Sequence, residues 1–314
     1  MTDRRFTRRT ALKGLGALAA GTAVSATASA NETWDTIETP LDGTLYDVVR
    51  TADGPYAVGA AGTILERTAN GWETVVQGGP TGNGNTLYGA GTTYFGERLW
   101  VVGSSGAIGE YNVRTGNFND YSAPNDVTNN FNDVAVTGMA DYANVYVAGD
   151  SGKIYSSFDN GATGTWDSVT PGSGSAINAI DFHGSRSGHA VDGNKTVFTT
   201  DDGSTYDQLG IENANVNFHG VDSDGADDVT VSGGGGVVYT WNGSEWRTAD
   251  TGDATLRDIE TEGDAGLTVG GGGKVYRYDG QWVQESTPTG QNLKSVVRGS
   301  TDIAVGAAGA VIEY

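Results

Sequence analysis

The chain predicts an all-β fold, a seven-bladed β-propeller with four antiparallel strands per blade, in which an N-terminal strand closes the last blade. Three observations carry this. A turn of small residues between apolar strands recurs seven times, the first six recurrences lead into a hairpin signal, and the last copy lacks the strand that stands alone at the other end. Units of four short strands at about 40 to 45 residues are the mark of propeller blades.

The turns, in order, are Gly59-Ala-Ala-Gly62, Gly103-Ser-Ser-Gly106, Gly149-Asp-Ser-Gly152, a degenerate Asp192-Gly-Asn-Lys195, Ser232-Gly-Gly-Gly235, Gly270-Gly-Gly-Gly273 and Gly306-Ala-Ala-Gly309. Their last residues are spaced by 44, 46, 43, 40, 38 and 36 positions, so seven copies fill the chain after its first thirty residues. Upstream of each turn lies a strand with an apolar pair: Leu45/Val48, Phe131/Val134, Ile177/Ile180, Phe218/Val221, Leu256/Ile259 and Leu293/Val296, with Leu87 opening a less regular second copy. Downstream come a turn signal and an aromatic, as in Gly71-Trp72, Gly164-Thr-Trp166, Gly243-Ser-Glu-Trp246 and Gly280-Gln-Trp282. Strands bounded by Gly, Asn and Asp turns read as hairpins. No stretch after the leader keeps a helical period. The aromatics in this register are expected to pack between blades rather than to stack sugars.

The last copy ends at Ile312-Glu313-Tyr314, just after its third strand, and Thr33-Trp34-Asp35-Thr36-Ile37 matches Gly71-Trp72-Glu73-Thr74-Val75 with no strands of its own before it. The N-terminus is therefore expected to supply the missing fourth strand. Closure removes a sheet edge that would otherwise stay unpaired.

Residues 1–30 read as an export signal and 31–314 as the propeller. Five basic residues (Arg4, Arg5, Arg8, Arg9, Lys13) precede an uncharged run of small residues, Gly14 to Ala30, too short and too weakly apolar to span a bilayer about 30 Å thick. Thr7-Arg8-Arg9-Thr10-Ala11-Leu12-Lys13 resembles the twin-arginine signal, with Ala11 where Phe is usual. Ala28-Ser29-Ala30 fits a cleavage site that leaves Asn31 first. The chain has no cysteine, which excludes disulfides and a lipidated cysteine. The mature protein is expected outside the cell or at its surface, as a monomer without membrane insertion.

After removal of the signal, 13 basic residues face 38 acidic ones, a net charge of −25 over 284 residues. So acidic a surface is hydrated and screened at molar salt, where the Debye length is about 3 Å, and it points to a high-salt habitat. It argues against nucleic acid, which needs clustered Lys and Arg, and against anionic membranes.

Thr199-Thr200-Asp201-Asp202-Gly203-Ser204-Thr205-Tyr206 looks like the Asp-box, Ser/Thr-x-Asp-x-Gly-x-Thr-Trp, with Tyr for Trp; Ser157-Phe158-Asp159-Asn160-Gly161 followed by Thr165-Trp166 is a looser match. With the Val-Gly-x-x-Gly turns, the chain resembles the BNR/Asp-box and Ycf48-like (photosystem II assembly factor-like) propellers, within the WD40/YVTN/BNR-like repeat group. The resemblance implies a propeller whose Asp-box is a structural hairpin, the Asp side chain bonding backbone amides. Sialidases share these boxes, but their arginine cluster has no counterpart among thirteen basic residues, and no early Arg-Ile-Pro motif occurs, so their catalytic residues are not carried over.

The innermost strand of a propeller blade begins near one mouth of the central channel, so equivalent positions there form a ring. The residue after the first apolar of each inner strand is Tyr46, Tyr88, Asn132, Asn178, His219, Arg257 and Lys294. Three consecutive blades thus place His, Arg and Lys on the ring, which suits an anionic ligand: a uronate, a sulfated sugar or an acidic peptide. The competing reading is that Arg257 and Lys294 pair with acids such as Asp258. His183, His189 and His219 sit at different points of their repeats, and no zinc-type spacing occurs. The acidic turn Asp222 to Asp228 lacks EF-hand spacing. No catalytic residue, metal or cofactor is expected. Asn31, Asn194 and Asn242 head sequons open to N-glycosylation. The sequence therefore predicts a non-enzymatic binding propeller for a protein or glycan at the cell surface, with a carbohydrate-active hydrolase or lyase on the same scaffold as the alternative.

Overall fold

The computed structural model describes residues 33–314. The leader, with Arg8 and Arg9, and the sequon at Asn31 lie outside the described residues. The described chain forms seven four-stranded antiparallel sheets, six of them in sequential order from inner to outer strand. The seventh is built from both ends of the described chain: Leu293–Val297 is innermost, then Ile303–Gly306 and Val311–Glu313, and Asp35–Ile37 is outermost. The pairing runs Asp35 to Glu313, Thr36 to Ile312 and Ile37 to Val311.

Closure is reinforced by side chains. Trp34 is buried in a cluster with Leu267, Val269, Val275 and Leu293 of the sixth and seventh blades, and its indole N–H donates to Glu285 at 2.6 Å. Its counterpart in the first blade, Trp72, packs on Val297, Val305 and Val311 of the seventh and donates to Glu313 at 3.1 Å. Burial of such a ring stabilises by about 3 kcal/mol. Strand pairing within the seventh blade and packing at its seams with the sixth and first blades thus close the ring.

The inner strands are Leu45–Thr51, Leu87–Thr92, Phe131–Thr137, Ile177–Phe182, Phe218–Gly225, Leu256–Glu262 and Leu293–Val297. The apolar pairs read from the sequence are buried between neighbouring blades. Helical structure among the described residues is confined to short 3₁₀ turns, five of which sit between second and third strands and one, Pro124–Asp126, on a connection.

One turn lies one residue later than its sequence pattern suggests. The fifth is Gly233 to Gly236 rather than Ser232 to Gly235, because Ser232 still pairs with Gly220 and Val238 in the sheet. Gly236 has φ +71°, and a Cβ there would sit 1.8 Å from the Gly252 carbonyl oxygen, so position 236 is the one that must be glycine. Gly309 plays the same part in the last blade, 1.8 Å from the Leu41 oxygen by the same construction. In the degenerate fourth turn no such glycine exists. There the Asp192 carboxylate accepts the amides of Asn194 and Thr196 at 2.9 and 2.8 Å and holds Lys195 at φ +68°.

The Asp-box-like hairpin of the fourth blade is also shifted by one. Asp202, not the motif-position Asp201, accepts the amides of Ser204 and Thr205, both at 2.7 Å, and these bonds hold its carboxyl down at about 2. In the third blade Ser157 does the work, accepting the Gly161 amide at 3.1 Å, while the Trp166 indole donates to the Gly161 carbonyl at 3.0 Å.

Candidate functional site

Every inner strand breaks register between its first and third residues: Leu45/Asp47, Leu87/Gly89, Phe131/Asp133, Ile177/Ala179, Phe218/Gly220, Leu256/Asp258 and Leu293/Ser295. The residue left in each bulge is the ring residue read from the sequence. A bulge twists the strand and re-aims the extra side chain away from the sheet faces. Seven bulges at one level therefore turn seven side chains toward one end of the channel.

Six of the seven, all but Asn132, line a single pocket of about 70 Å³. That is room for a few waters, or for one small charged group. Asn132 is drawn aside, its side-chain amide donating to the Ile177 carbonyl of the next blade at 2.9 Å. Asn178 lines the pocket but is similarly engaged, donating to the Phe218 carbonyl at 2.6 Å. The long side chains fill the remaining arc. Tyr46 and Tyr88 meet edge to face at 5.0 Å, and the Lys294 ammonium lies 5.8 Å from the Tyr46 ring centre.

The electrostatics of this arc follow from burial and mutual repulsion. Burial, then the neighbouring Arg257, lowers the Lys294 ammonium below its ordinary value. Burial together with Arg257 and Lys294 pushes His219 down to about 4, so the imidazole is neutral at neutral pH. Burial raises the Tyr88 phenol, with Tyr46 adding to it. Among the described residues, neither Arg257 nor Lys294 stands in an ion pair.

The pairing of Arg257 and Lys294 with Asp258 is not what the structure contains. Asp258 turns instead to the backbone: Oδ1 accepts the Ile259 amide at 2.9 Å, and Oδ2 accepts the Val296 amide at 2.9 Å and the Ser295 hydroxyl at 2.8 Å. Asp47 and Asp133 do the same. The Asp47 carboxylate accepts from Val48, from Ala90 of the next blade at 2.8 Å and from Ser295 at 2.6 Å; that of Asp133 accepts from Val134 and from Ile180 of the next blade at 3.0 Å. Carboxylates in the third strand position thus cap amides on the open edge of the following blade. Of these pocket-lining acids the sequence reading named Asp258 alone, as an ion-pair partner, although Leu-Tyr-Asp-Val, Phe-Asn-Asp-Val and Leu-Arg-Asp-Ile repeat all three at one offset.

Two positions further down the strand, acids tie later seams. Asp181 accepts the Ser223 amide at 2.8 Å, Asp222 the Thr261 amide at 2.8 Å, and Glu260 the Arg298 amide at 2.6 Å. Burial and the nearby Asp224 and Asp181 raise the Asp222 carboxyl well above the usual range. The histidines that the sequence kept apart partly meet here: His183 and His189 each bond the Ser223 hydroxyl through Nδ1, at 2.9 and 2.7 Å. Both are lowered by burial, His189 to about 3. Among the described residues no group of three metal-ligating side chains converges. Asn194 and Asn242 are exposed on turns, and Asn242 also accepts the Ser244 and Glu245 amides at 3.1 and 3.0 Å.

No protein-family model matches the chain, and no curated protein matches its sequence. Solved structures do match in fold. Ycf48 bound to a D1 peptide superposes with a TM-score of 0.70 at 14% identity, over 90% of this chain and 94% of that one. Ycf48 from Cyanidioschyzon merolae gives 0.69 at 17%, over 90% and 98%. Virginiamycin B lyase from Staphylococcus aureus gives 0.75 at 14%, over 90% and 97%. At these identities the likeness is one of fold, and fold alone does not assign function.

Proposed function

We propose that the mature chain is an exported, non-enzymatic interaction platform that holds a protein or surface glycan through an anionic group at the channel mouth. The observation that carries this is the bulge-presented arc of Arg257, Lys294, Tyr46 and Tyr88, whose two cations have no acid partner among the described residues. A cationic wall beside aromatic rings accepts a carboxylate or sulfate by charge-assisted hydrogen bonding, with the rings covering its apolar flank. The pocket acids support binding over hydrolysis, since Asp47, Asp133 and Asp258 are committed to backbone amides and hydroxyls. The solved structure of a related fold with a bound peptide lends the protein-binding reading weight, and the export signal and acidic composition favour a partner at the surface of a cell living in high salt. Asn31, Asn194 and Asn242 are the positions where glycans would be attached.

The test is titration of the folded protein, in high salt, with oligogalacturonate, a sulfated oligosaccharide and an acidic peptide, repeated on Arg257→Ala with Lys294→Ala. The wild type should bind one class, and the double variant should lose it while unfolding at the same temperature. Equal affinity in both proteins would refute the site.

A further inference from the structure

A second surface lies at the other end of the propeller. The turns joining inner to second strands are there, away from the bulges, and most carry polar residues. In blades 2 and 3 they also present large apolar residues. Phe95, Met139 and Tyr142 are 46, 58 and 83% exposed, three of the five large hydrophobic residues exposed among those described. Large apolar side chains grouped on a surface of this acidity mark an interaction site.

These tips are held rather than loose. The Tyr94 amide donates to the Gly138 carbonyl at 2.8 Å, fastening one loop to the other, and Tyr142 donates to Met139 at 3.0 Å. Arg98 bridges to Asp141 at 3.1 Å. Phe95 packs edge to face on Tyr94 at 4.5 Å. Gly138 has φ +91°, and a Cβ there would lie 2.7 Å from the Tyr142 carbonyl oxygen, so the loop closes tightly at a position that requires glycine. The blade 4 loop is fastened alongside, its Ser185 carbonyl accepting from Thr137, Asn144 and Tyr146. A surface fixed before binding loses little entropy on docking.

Acids outnumber bases around this face. Asp53 is exposed on the neighbouring blade 1 loop, which the Ala52 amide ties to Gly96 at 3.0 Å, Asp141 is exposed within the patch, and Asp227, Glu262 and Asp264 are exposed across the ring on blades 5 and 6, whereas the blade 4 loop contributes one base, Arg186, lying 3.8 Å over the Phe158 ring. We infer that this face docks a protein segment that presents apolar side chains to Phe95, Met139 and Tyr142 and carries Lys or Arg beyond them. A second copy of the chain fits poorly, since it would bring the same acidic loops and a mature charge of −25 against this surface.

A random-peptide display library panned on the folded protein tests this. Enriched peptides should pair apolar residues with flanking Lys or Arg. Phe95→Ser with Met139→Ser and Tyr142→Ser should weaken their binding about tenfold or more, as expected when central anchors are removed. Asp227→Asn with Glu262→Gln and Asp264→Asn should weaken it less and flatten its salt dependence. Arg257→Ala with Lys294→Ala, at the opposite mouth, should leave it unchanged, which separates this surface from the anion site. Should the triple serine variant unfold, Tyr142→Ser alone serves, being the most exposed of the three. Enrichment of acidic peptides, binding indifferent to the serine substitutions, or wild-type self-association that those substitutions abolish would each overturn the inference.

Discussion

Two arcs of one ring, built at the same strand position by the same bulge, have different work. On blades 3 and 4 the bulged residue is asparagine, short enough for its amide to reach the next blade's carbonyl and stay there. On blades 6, 7, 1 and 2 it is Arg257, Lys294, Tyr46 or Tyr88, too long for that bond, and the side chain extends into the pocket. Side-chain reach, at constant backbone geometry, decides whether a ring position bonds the next blade or extends across the pocket. His219, between the two arcs, is of intermediate length and is held neutral by burial and then by the cations beside it.

The comparison breaks most completely if the ring is opened. Deleting residues 31–40 removes Trp34 and the closing strand and should cost several kcal/mol, about 3 to 5 from the tryptophan alone. Both arcs should then fail together, with the loss of cooperative unfolding read by calorimetry; an unchanged transition would contradict closure.

Smaller changes should separate the arcs. Asn132→Ala leaves the Ile177 carbonyl without its side-chain donor and should lower stability by about 1 to 3 kcal/mol in chemical denaturation, with anion affinity little altered. Arg257→Ala with Lys294→Ala should do the reverse. The edge-capping acids can be ranked in the same way. Asp133→Asn turns one oxygen that accepts an amide into a donor, whereas in Asp222 a single oxygen accepts both the Thr261 amide and hydroxyl, so Asn can substitute there. Asp133→Asn should therefore destabilise by about 1 to 3 kcal/mol and Asp222→Asn by much less, since a carboxyl already raised by burial gives up little charge.

The smallest effect is the most specific. His219 has a folded value of about 4 against 6.5 unfolded, so below pH 6.5 the unfolded chain binds more protons and stability falls as pH drops toward 4. His189, at about 3, adds to this. An anion in the pocket raises the His219 value, so binding takes up a proton and affinity should rise over the same interval. Stability and anion affinity moving in opposite directions between pH 6.5 and 4.5, with affinity made flat by His219→Gln, would assign His219 to the ligand arc.

The blade count, the closing strand and the ring positions were legible in the sequence because glycine turns and apolar pairs recur at a nearly fixed period. The turn at 233–236 was misplaced by one because a run of glycines, Gly233 to Gly236, offers no internal landmark. The Asp202 shift has a similar cause, two adjacent aspartates. What could not be read was which ring side chains are tied to the neighbouring blade. That depends on a carbonyl about forty residues away in sequence: Asn132 bonds that of Ile177 and leaves the pocket, while Asn178 bonds that of Phe218 and still lines it. The carboxylates at Asp47, Asp133 and Asp258 were visible as a recurring letter, but their purpose appears only when the next blade's open edge is in view.

The most direct test of the platform is photo-crosslinking on intact cells in their native salt, with a benzophenone residue in place of Tyr88 in the ligand arc and, as a control, in place of the exposed Asp207 on an outer strand. One or two stoichiometric envelope proteins or glycans captured from position 88, absent from position 207 and lost with Arg257→Ala and Lys294→Ala, is the predicted result. Capture of nothing, or of the same species from both positions, would contradict a binding role for the mouth.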